Sequence, residues 1–149
     1  MSGYALTYLA LVARDVDAAC RYFGEALGLA RHNIDLNGRK TPFFGVGDAA
    51  IAVFDIEDPY LDEPRFPGVH HMALESGDPT ATAMEHNLTV NQKGVGPNGN
   101  RFVTIEKTET CGIRTRFVEP LDIPAGESRV ERIDHLGVAS TNIDENIRV

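Results

Sequence analysis

The sequence predicts an α+β fold built from a β-α-β-β-β unit used twice, with a third copy begun toward residue 149. Three observations predict it. Residues 6–21, 69–80 and 133–148 align without a gap, each an apolar alternating run followed by a polar break carrying Asp or Asn. Tyr8, His71 and His135 fall at the same place in that run, followed by Leu9, Met72 and Leu136. After each of the first two openings come three short strand patterns separated by turn residues.

Residues 4–12 (YALTYLALV) are apolar enough for a strand buried on both faces. Asp15 is the expected N-cap of a helix over 16–27, where Val16, Ala19, Cys20, Phe23 and Leu27 form one apolar stripe and Gly28 ends the element. That stripe makes Cys20 a small core residue rather than a nucleophile. Strands are expected at 31–35, 42–46 and 50–56, with turns at Asn37 with Gly38 and at Gly47 with Asp48. Residues 57–67 (EDPYLDEPRFP) hold three prolines and four acidic residues and read as an irregular linker.

The second unit opens at 69–75, with a shorter helix capped near Asp78 over 81–86 and strands at 88–92, 101–106 and 113–118. The glycine-rich 94–100 lacks the spacing of phosphate-binding loops and reads as a mobile hairpin loop at a cavity mouth. Residues 120–128 are a second linker. Residues 129–149 then supply a strand, a break with Asn142 as cap, and up to two helical turns. A strand and helix without partner strands cannot bury their apolar side. The sequence therefore predicts one domain over 1–128, made of units 1–57 and 68–120, and a second such domain that starts at 129 and is truncated. Residues 130–139 are expected to be disordered, to pack on the first domain, or to pair with another copy.

Composition narrows the function. A formal net charge of −8 argues against a broad nucleic-acid footprint, which needs a basic face, while leaving room for a local basic pocket. The two cysteines, Cys20 and Cys111, form no CxxC, so a reducing cytoplasm is expected. No apolar run approaches the roughly 20 residues that span a bilayer, so no membrane partner is expected. No nucleophile-elbow motif occurs, and Ser2, Ser76, Ser128 and Ser140 lack base partners in the sequence.

The stretches LALVARDVDAACRYFGEALGL (from Leu9), GVHHMALESGDP (from Gly68), GIRTRFVEP (from Gly112) and IDHLGVASTNIDENIRV (from Ile133) together resemble the vicinal oxygen chelate superfamily of glyoxalases, epimerases, extradiol dioxygenases and bleomycin-resistance proteins. The resemblance implies two units forming a curved, eight-stranded mixed sheet around a cavity, with helices on its outer face. Members with metal chemistry place a His on the first strand of a unit and a Glu on its last. Here the first position holds Tyr8, the fifth-strand position holds His71, the fourth strand offers Ala52 and Phe54, and the eighth offers Arg114 and Arg116. His71 is then the single metal-ligand candidate in 1–128, and His70 is expected on the opposite face. His135 holds the ligand place of the third unit. The resemblance thus implies an N-terminal domain with no cofactor of its own, and a divalent metal in the full-length protein.

Tyr8, Phe54, Glu75, Arg114 and Arg116 are the candidate ligand-contacting residues, and small neighbours such as Ala10, Ala52 and Ala73 leave them room. Arg114 and Arg116, two apart on one strand, either clamp an anionic small molecule or lie on an exposed sheet face, salt-bridged to Glu75 or to other acidic groups nearby. A Tyr8 hydroxyl near His71 would suit proton transfer. Two functions stay open: the N-terminal half of a tandem metal-dependent lyase, epimerase or extradiol-type dioxygenase, and a non-catalytic binding module like bleomycin-resistance proteins. An unpaired strand at 130–139 predicts a homodimer.

Overall fold

A computed structural model of the protein describes residues 5–126 and 130–134. Its order is β1 (Leu6–Ala13), α1 (Val16–Arg21), β2 (Ala30–Leu36), β3 (Arg39–Val46), β4 (Ala49–Asp55), β5 (Gly68–Glu75), α2 (Pro79–Glu85), β6 (Val90–Val95), β7 (Arg101–Ile105) and β8 (Thr115–Val118). All eight strands join one curled sheet in the order β2-β3-β4-β1-β5-β8-β7-β6. The two units are therefore mirrored in strand order about the β1–β5 seam. β1 runs parallel to β4 and β5 parallel to β8, while β1 and β5 are antiparallel. This is the expected α+β architecture.

The helices lie on the convex face. Asp15 caps α1 by accepting from the Ala18 N–H, and Asp78 caps α2 by accepting from the Ala81 N–H. Cys20 of α1 packs with Leu29, Phe44, Val46 and Val53, and under α2 lie Val103, Ile105 and Phe117. The helix expected over 16–27 is α-helical only to Arg21, and Tyr22–Ala26 widens into a π-helical turn. Its apolar stripe survives the change, because Phe23 and Leu27 still pack on the same cluster. Residues 97–99 form a 3-10 turn at the tip of the β6–β7 hairpin.

The concave face carries the larger core, formed by Tyr8, Ala10, Val12, Phe43, Ala52, Phe54, Ala73, Phe102 and Val118. Period-two alternation places these residues together as expected. The two linkers cross this face. Tyr60 and Leu61 of the first enter the core, as do Leu121 and Ile123 of the second. Beyond Ile123 the chain runs against β3, where a Cβ added at Gly45 would collide with the Pro124 carbonyl and come within 2.7 Å of Ala125 Cα. The His32 Nε2–H donates to that same carbonyl at 2.8 Å. Among the described residues, both linkers therefore cover part of the concave face. Of the segment expected to begin a second domain, residues 130–134 form no strand, and Val130 and Ile133 pack on the α1 cluster. His135 and the rest of the third repeat lie outside the described residues.

Candidate functional site

At the β1–β5 seam the concave face turns polar. Tyr8 and His71 occupy corresponding positions of the two units, and their side chains meet at 3.1 Å between the Tyr8 hydroxyl and His71 Nε2. His70 joins them on the same side, with its Nδ1 2.7 Å from His71 Nδ1. This corrects the alternation expected for His70. The β1–β5 register shifts between Ala10 and Leu11, so Ala10 pairs His71 while Leu11 pairs Val69, and His70 is the extra residue of a bulge.

The linker completes the cluster. Tyr60 lies stacked on Phe54, with ring centroids 5.7 Å apart, and tilted against Phe102 at 5.6 Å. Its hydroxyl is 3.3 Å from that of Tyr8. Arg116 is fully buried, with its guanidinium carbon 4.7 Å from the Tyr60 ring centroid and 4.4 Å from that of Phe102. Its Nη2 donates to Asp62 Oδ2 at 3.2 Å.

The direction of the hydrogen-bond chain follows from its last acceptor. His70 Nε2 is 2.7 Å from the Asp62 carbonyl, which can only accept, so that nitrogen carries the proton. Burial lowers the His70 pKa to about 4, and burial lowers that of His71 well below the usual imidazole value, with Arg116 adding to it. Both rings are neutral at neutral pH, with one N–H each. His70 Nδ1 must then accept from His71 Nδ1–H, and His71 Nε2 must accept from the Tyr8 hydroxyl. The Tyr8 oxygen is left to accept from the Tyr60 hydroxyl. Burial also raises both phenol pKa values, that of Tyr8 strongly. No member is poised to exchange a proton near pH 7, and the chain ends on a carbonyl that cannot pass one on.

The candidate residues divide. Tyr8, Phe54, His71 and Arg116 converge on the concave face. Arg114 lies one residue before β8 and donates to the carbonyls of His70 (3.1 Å) and Glu63 (3.3 Å), whereas Arg116 donates to Asp62. Glu75 is exposed at the end of β5, opposite Val118, and Arg116 pairs with Asp62 rather than with it. Tyr60, Asp62, His70 and Phe102 were not expected in the site.

Comparison with known proteins fits this geometry. The profile of the Glyoxalase/Bleomycin resistance protein/Dioxygenase superfamily matches residues 5–106. The chain belongs to this superfamily. No curated protein sequence matches it. Among solved structures, a hypothetical protein from Bacillus halodurans is similar at TM-score 0.67 and 14% identity, covering 84% of this chain and 100% of that one. Methylmalonyl-CoA epimerase from Mycobacterium tuberculosis gives 0.64 at 20% identity, covering 78% and 87%. A Streptomyces coelicolor methylmalonyl-CoA epimerase in complex with 2-nitronate-propionyl-CoA gives 0.66 at 17%, covering 83% and 100%. These likenesses show the fold.

Glyoxalase-superfamily proteins commonly hold divalent metals, and the concave residues here do not fit one. Of the positions at which the superfamily resemblance implies ligands, one carries His71, whose two nitrogens are both engaged, and another carries the buried Arg116 guanidinium. The fixed charge of Arg116, which already disfavours a proton on His71, disfavours a second cation there. Among the described residues no three His, Cys, Asp or Glu side chains are grouped to hold a metal ion.

Proposed function

We propose that this superfamily domain is the ligand-holding, metal-free half of a tandem protein. Lyase, epimerase or extradiol-type dioxygenase chemistry, with its divalent metal, then belongs to the domain opened by the third repeat. The single observation that carries the reading is Arg116, a buried guanidinium in a pocket where the superfamily resemblance implies metal ligands. A guanidinium recognises carboxylate or phosphate oxygens without a metal, so the ligand of this half is a small anion. The tandem arrangement is supported by the alignment of 133–148 with 6–21, including His135 at the ligand place.

The coding sequence past residue 149 tests it. Three further strand patterns, the last carrying Glu, and one bound metal per chain that His135→Ala removes and His71→Ala leaves, are the expected result. A stop codon there overturns the tandem reading. It would favour a stand-alone binding module, for which the packing of Val130 and Ile133 on the first domain already speaks.

A further inference from the structure

The Arg116 pocket holds more donors than the described residues satisfy. Arg116 Nε and Nη1 are buried with no well-formed hydrogen bond among the described residues, the Tyr8 and Tyr60 hydroxyls lying near the guanidinium, and Thr104 Oγ1 is buried without a partner. Thr104 lies directly across from Arg116 in the β7–β8 register, so the unmet groups are neighbours. Beside them a cavity of about 90 Å³ is lined by Asp62, Asn91, Thr104 and Arg114 among others. Unpaired donors on a buried guanidinium are costly, and a site that binds an anion would keep them.

What fills the pocket now comes from the irregular linker. Tyr60 supplies a phenol whose ring lies between Phe54 and Phe102 and whose hydroxyl meets Tyr8. Asp62 supplies one carboxylate oxygen to Arg116 through a single N–H. Asp62 is about one-third exposed, so the carboxylate is reached from solvent while Arg116 is not. A phenol and a carboxylate two residues apart on one segment are the two halves of a phenolic acid.

We propose that Tyr60 and Asp62 occupy a binding site for a phenolic carboxylate, which enters by displacing them and engages the Arg116 donors that Asp62 leaves unmet. The incoming ring takes the place between Phe54 and Phe102, its hydroxyl donates to the Tyr8 oxygen, and its carboxylate makes the two-point contact with Arg116 that Asp62 does not. The linker is then a built-in competitor. This deepens the ligand-holding role proposed above and relies on it for the choice of pocket.

Hydrogen exchange and thermal melting of the full chain with 4-hydroxyphenylacetate test this, with p-cresol and acetate as the two half-ligands. The phenolic acid is expected to raise Tm saturably, by about 4 °C at about ten times Kd. It should also speed exchange across residues 58–63, with neither half-ligand doing so. Asp62→Asn weakens the internal competitor and is expected to tighten binding about tenfold. No saturable shift in either protein, an equal response to p-cresol, equal affinity in Asp62→Asn, or binding that slows exchange across 58–63 would each overturn the proposal. Divalent-metal binding that depends on His71 would instead overturn the metal-free reading and leave this result interpretable.

Discussion

The β1–β4 and β5–β8 halves share strand order, parallel pairings and Asp-capped helices, yet they close their concave faces by different means. In the first half, backbone meets backbone. The second linker passes over Gly45 so closely that no side chain fits there. In the second half, closure is by side chains, with the Tyr60 ring and the Arg116 guanidinium packed into the hollow and Asp62 at its rim. In the first, the His32 ring donates to the Pro124 carbonyl, and Thr7 Oγ1 of β1 is the buried polar atom left without a partner among the described residues. The second leaves three buried polar atoms, on Arg116 and Thr104, unmatched among the described residues. One scaffold thus supplies a structural closure beside an exchangeable one.

The comparison can be broken at several points. Tyr60→Ala removes the ring stacked on Phe54 and is expected to cost about 3 kcal/mol, read by urea unfolding. A loss below about 1 kcal/mol would mean the second half closes without it. Gly45→Ala forces the linker off β3 and is expected to cost about 2 kcal/mol, with faster hydrogen exchange across 120–126 and unchanged exchange across 58–63. The reverse pattern would mean that the two closures are not separate.

Below neutral pH, stability should also depend on the buried histidines of the second half, His70 and His71. His70 has a native pKa of about 4, below the roughly 6.5 of an unfolded imidazole, so the unfolded chain binds the proton more readily. Its contribution is complete above about pH 6.5 and is lost as pH falls toward about 4, as urea midpoints across that range would show. His70→Gln should flatten that slope, whereas Gly45→Ala should leave it. Least in size are the helix caps. Asp15→Ala and Asp78→Ala are each expected to cost about 1 kcal/mol and to add, since the halves share this device.

The repeat made the strand order and the meeting of Tyr8 with His71 legible, because equivalent positions of two units must face each other across the seam. Arg116 was placed on the right face by alternation, but not its burial, since a lone arginine is ordinarily exposed and its stacking partners lie far off in sequence. Tyr60 and Asp62 could not be read. They sit in a proline-rich segment with no periodicity to assign an inward side. His70 was misread for a different reason. A bulge is a property of two strands in register, and one strand's alternation contains no trace of it.

Titration of Co2+ into the chain is the most direct measurement, comparing it with His71→Ala. Because Arg116 and the engaged His71 leave no place for a divalent ion in the concave pocket, no saturable site that depends on His71 is expected. A one-to-one site present in the unaltered chain and absent from His71→Ala would contradict it.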